Sequence, residues 1–141
     1  MKRLAIVDTG PLVAGLKSRD QHHDWALSQI REYSAPLLTC EAVVTEACYL
    51  LRKEAGGVAA LLQLFARGAL RIAFSFEEQR KQVEHLLERY ANVPMAFADA
   101  CLVRMLELYP GSLLLTVDSD FFVYRKNRRQ TIAVTMPGSN G

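Results

Sequence analysis

The feature that most constrains this chain is a set of short apolar runs, each stopping abruptly at polar residues. Leu4-Ala5-Ile6-Val7 ends at Asp8-Thr9-Gly10-Pro11, and Leu113-Leu114-Leu115-Thr116-Val117 ends at Asp118. Short apolar runs with branched residues and no alternation read as strands buried on both faces. Pro36-Leu37-Leu38-Thr39-Cys40 and Leu70 to Phe74 read as two more, with Thr131-Ile132-Ala133-Val134 as a last edge strand. The intervening segments have helical spacing. They cover residues 11–16, with Pro11 in the first turn, 22–33, with Trp25, Ile30 and Tyr33 inward, and 41–54. Further helices are expected over 58–67, 77–90, 95–108 and, briefly, 119–126. In 41–54, Val43, Val44, Ala47, Leu50 and Leu51 recur at spacings of three and four; Gly56-Gly57 then breaks the pattern.

Short strands alternating with helices predict an α/β fold, a parallel sheet of four to five strands with helices on both faces. Right-handed crossovers put the carboxyl ends of all its strands on one edge. That edge is where open α/β sheets bind ligands, and Asp8 and Asp118 both open onto it.

The totals narrow the class. The 141 residues predict one domain, 1–136, followed by a loose tail over 137–141. Half the residues are hydrophobic and 23% are charged, as in an ordinary globular protein. Cys40, Cys48 and Cys101 are odd in number and form no CxxC pair, which predicts free thiols in a reducing compartment. Residues 1–15 do not read as a signal peptide and no run approaches membrane-spanning length, so a cytoplasmic protein without a membrane partner is expected. A net charge of +2 neither requires nor opposes a nucleic-acid partner.

Of the 15 acidic residues, four sit in unusual company. Asp8 and Asp118 end buried strands. Glu46 lies inside an apolar helix, on the face of Val43 and Leu50, and Asp99 shares a face with Val103 and Leu106. Burying an unpaired carboxylate costs several kcal/mol. If the four converge, each pair at about 4 Å repels by roughly 4 kcal/mol at an effective dielectric of ~20. Nearby residues offer few cations to Glu46 and Asp99. A divalent cation answers this arrangement, and all-oxygen ligands suit Mg²⁺ or Mn²⁺. Simpler roles stand beside it. Asp8 and Asp118 can cap the helices after them, and Asp99 can cap its own if that helix starts late. Glu46, in mid-helix, has no capping role.

Taken in order, these residues carry a resemblance. Ile6-Val7-Asp8-Thr9-Gly10-Pro11-Leu12, Thr45-Glu46-Ala47, Phe97-Ala98-Asp99-Ala100 and Leu115-Thr116-Val117-Asp118-Ser119-Asp120-Phe121 resemble the motifs of PIN-domain ribonucleases, and among them the VapC-type toxins of toxin–antitoxin pairs. The likeness covers nearly the whole chain. It implies a three-layer α/β/α fold and a Mg²⁺- or Mn²⁺-dependent endoribonuclease. Asp8, Glu46, Asp99 and Asp118 would form its acidic metal site, with Thr9 and Thr116 positioning a carboxylate or a metal-bound water. Asp120 either reaches the metal through water or caps a helix; Asp118, nearer the strand end, is the expected ligand. The resemblance also implies a small antitoxin partner and a homodimer. The RNA-cleaving alternative is a PIN nuclease of RNA processing outside any toxin pair; the silent one is an RNA- or protein-binding module that keeps the fold alone.

RNA needs cationic contacts outside an acidic centre. Lys17 and Arg19 follow the first helix, and Arg125, Lys126, Arg128 and Arg129 follow Asp118. These are the candidate phosphate contacts; an exposed loop is the plainer reading of the basic run. His22 and His23 read as a helix start, and Trp25 and Phe121-Phe122 as core or interface. Rival motifs fail. Residues 10–18 resemble a phosphate-binding P-loop, but Leu16 displaces Lys17-Ser18 and Pro11 removes an amide. A receiver domain lacks its early acidic pair here. An aspartyl phosphotransferase would want an acid where Gly10 stands.

Overall fold

The computed structural model describes residues 3–138. In chain order the elements are β1 (Ala5–Val7), α1 (Thr9–Leu16), α2 (His23–Glu32), β2 (Leu37–Thr39), α3 (Glu41–Leu50), α4 (Gly57–Ala66) and β3 (Leu70–Ile72). Next come α5 (Phe76–Arg89), α6 (Phe97–Leu108), β4 (Leu113–Leu115), a 3₁₀ turn at Ser119–Phe122, β5 (Arg125–Lys126), β6 (Gln130–Thr131) and β7 (Val134–Thr135).

The fold is a three-layer α/β/α arrangement around a parallel sheet in the order β3-β2-β1-β4-β7. Ala5, Ile6 and Val7 of β1 are fully buried, as are Leu114 and Leu115 of β4, so both faces of the central strands are covered. That is why these runs show no alternation. Their register is Ala5↔Leu113, Ile6↔Leu114 and Val7↔Leu115. The Asp8 amide continues the ladder, donating to the Leu115 carbonyl at 3.0 Å.

The chain moves outward from β1 to β2 and β3, then returns to place β4 on the far side of β1. The direction of winding therefore reverses between β1 and β4. In such sheets this reversal opens a crevice at the carboxyl ends of the strands. Asp8 follows β1 there, and Thr116, Val117 and Asp118 follow β4.

Three expectations are corrected. First, the helix from Glu41 ends at Leu50 rather than at 54. Its buried stripe runs through Val43 and Ala47 to Leu51, which leaves Leu50 46% exposed and Glu46 on the exposed margin. Second, no helix spans 119–126. A 3₁₀ turn ends at Phe122, and Arg125-Lys126 instead pairs antiparallel with Gln130-Thr131 as a small hairpin. The Tyr90 hydroxyl accepts the Arg125 amide at 2.8 Å, drawing the chain out of helical register. Third, Thr131 belongs to that hairpin, and the edge strand is β7, where the Ala133 and Thr135 carbonyls accept from Leu114 and Thr116. The expected tail, 137–141, reaches past the described residues at 139–141. No helix among the described residues is long and apolar enough to cross a membrane.

Candidate active site

β1 and β4 deliver two acids to the crevice, and each acid also caps the turn of chain after it. Asp8 has extended backbone at the N-cap of α1, and its Oδ1 accepts from the Thr9 amide at 2.7 Å. Asp118 caps the 3₁₀ turn, its Oδ1 accepting from the Asp120 amide at 2.9 Å. Capping and placement at the crevice are thus one geometry, not alternatives.

Thr116 ties the two together. Its hydroxyl donates to Asp8 Oδ2 at 2.7 Å and accepts from the Asp118 amide at 3.0 Å. Across the sheet, the Thr39 hydroxyl donates to the Val7 carbonyl at 3.0 Å, fixing the strand end beside Asp8. Gly10 makes room: a Cβ there would overlap the side chain of Val117, which stands between Thr116 and Asp118.

Asp99 comes from α6. The helix starts at Phe97, later than the apolar pattern suggests, with Ala96 as its cap. Asp99 is therefore in the first turn and accepts from the Ala96 amide at 3.2 Å. Ala96 has no side-chain acceptor to return the bond, so half of a capping box is present.

The acids feel one another. Burial, opposed by the bonds from Thr116 and the Thr9 amide, lifts the Asp8 carboxyl above its ordinary range, and the charges of Glu46 and Asp118 lift it further. Asp99 is pushed up to about 6, chiefly by burial, with the charges of Asp8 and Asp118 adding. Asp8, Asp99 and Asp118 thus share a field, which Glu46 joins through Asp8. Asp120 is exposed and acts on Tyr124 instead. Among the described residues, the ion pairs leave all four acids out.

The donor set fits a hard divalent cation: the four acids offer only oxygen, no ion pair among the described residues offsets their charge, and Asp8 is 9% exposed. Thr9 Oγ1, in the residue after Asp8, adds a buried hydroxyl with no hydrogen-bond partner among the described residues. Among the described residues, however, no three acidic, imidazole or thiol groups already stand close enough to hold a metal ion. Glu46 is exposed at the rim of this set.

Sequence reasoning passed over Tyr124. It is fully buried within the fold, yet its hydroxyl stands 3.3 Å from Asp99 Oδ2 and 3.4 Å from the Pro94 carbonyl. Burial and the Asp99 charge push its phenol well above the usual range, so it stays a donor to the carboxylate. An aromatic spacing of three from Phe121 was its only signal in the sequence. Cys40 and Cys101 are buried free thiols, as the cysteine count suggests.

The candidate phosphate contacts divide. Lys17 and Arg19 both pair with Glu54, at 3.7 and 3.2 Å. Arg125 turns its guanidinium onto the carbonyls of Phe122, Val123 and Tyr124. Arg128 and Arg129 stand exposed in the hairpin loop, and Lys126 is half-buried in β5. His23 caps backward, its Nδ1 lying 2.7 Å from the Ala14 carbonyl, in keeping with a helix start.

The sequence matches the PIN domain family over residues 5–127. The chain belongs to the PIN domain family. No curated protein gives a significant match. Among solved structures, the PIN chain is similar to that of Mycobacterium tuberculosis VapC20, a sarcin-ricin loop cleaving toxin. The TM-score is 0.64 at 19% identity, covering 72% of this chain and 80% of that one. At that identity the likeness speaks for the PIN fold.

Proposed function

We propose that this PIN-domain chain is a Mg²⁺- or Mn²⁺-dependent endoribonuclease, the toxin of a type II toxin–antitoxin pair. The observation that carries the reading is the uncompensated carboxylate field at the β1/β4 crevice. Asp8, Glu46, Asp99 and Asp118 would hold the cation, with Asp8 aimed by Thr116 and Thr9. When bound, such an ion polarises a phosphate oxygen and lowers the pKa of water. The chain itself supplies the rest. The rigid strand ends fix Asp8 and Asp118, Tyr124 orients Asp99, and one of the carboxylates accepts the proton of attacking water. The toxin assignment is supported by the fold likeness to a VapC toxin. It brings with it a small antitoxin that inserts an Arg or Lys among the acids, a homodimer, and a cytoplasmic setting.

A second reading has an observation in its favour. Glu46 is exposed and, among the described residues, no metal cluster is preassembled, as suits a silent RNA- or protein-binding module. Cleavage of a fluorogenic RNA under Mg²⁺ and Mn²⁺ titration separates the two. Metal-dependent cleavage that falls about a hundredfold or more in Asp8→Asn and Asp99→Asn supports the nuclease. No cleavage selects the silent module; equal cleavage by all three proteins overturns the roles given to Asp8 and Asp99. Growth arrest on expression, relieved by a neighbouring small gene product, tests the toxin assignment; harmless expression of active enzyme places it in RNA processing instead.

A further inference from the structure

A cleft of about 720 Å³ opens between α5 and the β5–β6 hairpin. His85 and Arg89 line it from α5, Asn127, Arg128 and Arg129 from the hairpin loop, and Glu107 from α6. The one acid in this set is already spent. Glu107 Oε1 pairs with Arg104 at 3.1 Å, and Oε2 accepts the Asn127 amide. Among the described residues, no ion pair engages Arg89, Arg128 or Arg129. Three guanidinium groups therefore line one cleft whose single acid, Glu107, is already paired with Arg104.

The loop that brings them there is held on purpose. Asn127 and Arg128 both have left-handed backbone, φ 49° and 71°. That conformation is tolerable for Asn and costly for Arg, and it persists only where the surroundings impose it. Here Glu107 holds the Asn127 amide, and the Arg89 guanidinium donates to the Arg128 carbonyl. Arg89 is itself seated over the Tyr90 ring, 5.5 Å from its centroid. A strained Arg128, followed by Arg129 and pinned by Arg89, makes an anion site.

We propose that this cleft grips the phosphate backbone of an RNA strand whose scissile bond lies at the acidic crevice. The inference rests on the nuclease reading above and adds where the strand runs. Tyr124, on Asp99, is three residues before Asn127, so the loop's edge lies within about 11 Å of Tyr124 along the backbone. One strand can span both places, because single-strand sites cover about 4–16 nucleotides. The acidic crevice repels a polyanion, and the arginine cleft offsets that repulsion away from the chemistry.

The test uses the full chain in EDTA, so that binding is read without cleavage. A labelled single-stranded RNA is followed by fluorescence anisotropy over a range of KCl, with inorganic phosphate as competitor. Arg128→Ala/Arg129→Ala should weaken binding about tenfold or more. It should also flatten the slope of log affinity against log salt by about 1.4, at roughly 0.7 per lost single-strand phosphate contact. Arg129→Ala alone leaves both loop supports in place and should show about half that change in slope. Arg128→Lys/Arg129→Lys should recover most of the affinity, and Arg80→Ala, elsewhere on α5, should change nothing. Wild-type affinity and slope in the double alanine variant overturn the proposal, as does absence of RNA binding by the wild type. Displacement of RNA by inorganic phosphate at a concentration equal to its own overturns it too, since the site would then take the free anion. If cleavage depends on Asp8 while RNA binding ignores Arg128 and Arg129, the cleft alone is lost. If RNA binding needs the arginines but the wild type never cleaves, the nuclease reading alone is lost.

Discussion

Thr116 is the residue through which the crevice is organised, because one hydroxyl serves Asp8 and Asp118 at once. Thr116→Val removes that hydroxyl without changing shape. It leaves a buried carboxylate oxygen and an amide short of a partner, so urea unfolding should show a loss of about 1–3 kcal/mol. Thr116→Ser should restore most of it. The raised carboxyls make a second prediction. The folded chain holds a proton on Asp99 up to about pH 6, above the ordinary carboxylate value, and Asp8 shifts the same way. Between the unfolded and folded values the native state binds more protons than the unfolded one, so these groups stabilise the fold as pH falls. Metal-free protein should gain stability on going from pH 7.5 toward 5, and that contribution should vanish above about pH 6 to 7. Asp99→Asn should flatten this slope in urea titrations at each pH. Divalent-metal affinity should move the opposite way, falling below pH 6 as protons compete for the same oxygens. A metal-free stability that falls steadily from pH 7.5 to 5, equally in Asp99→Asn, contradicts the assignment.

At the scale of elements, the segment from β4 to the 3₁₀ turn is held against α1 by close approach at Gly10. Gly10→Ala forces Val117 aside, and Val117 lies between Thr116 and Asp118. Cleavage should therefore fall about tenfold or more, because small misplacements of a metal-binding set cost that much. Stability should fall by only about 1 kcal/mol, since the Val117 side chain is partly exposed and can turn. Equal losses in both would mean that the substitution disrupts packing generally. Much of this region was legible beforehand. Strands buried on both faces have no period to misread, and their abrupt ends at Asp8 and Asp118 mark where the backbone leaves the sheet. Glu46 was harder. Helical spacing assigned it a face with Val43 and Leu50, but spacing does not say where a helix stops. α3 stops at Leu50, and the buried stripe passes through Val43, Ala47 and Leu51 instead. The hairpin was hidden for another reason. Phe121 to Lys126 suits a helix or an extended chain equally, and the contacts that decide, Arg125 to Tyr90 and Tyr124 to Asp99, join residues 35 and 25 positions apart.

On the scale of the whole molecule, the alternation of strands and helices dictates one acidic edge, and the winding reversal between β1 and β4 picks the place on it. That much comes from sequence order and handedness. The charge balance does not. A net charge of +2 conceals a field of carboxylates at the crevice and three arginines beyond it that no ion pair engages among the described residues, because summed charge carries no positions. Lys17 and Arg19 looked as available as Arg128 and Arg129, and only tertiary structure pairs the first two with Glu54. In the proposed function, the acids at the β1/β4 crevice together bind a divalent cation. Electron paramagnetic resonance of free Mn²⁺, titrated with metal-free protein at pH 7.5, tests it without reference to any substrate. The wild type should deplete the free Mn²⁺ signal, Mg²⁺ should restore it by competition, and Asp8→Asn and Asp99→Asn should each deplete it far less. A wild-type protein that leaves the signal untouched, or variants that deplete it equally, would contradict the account.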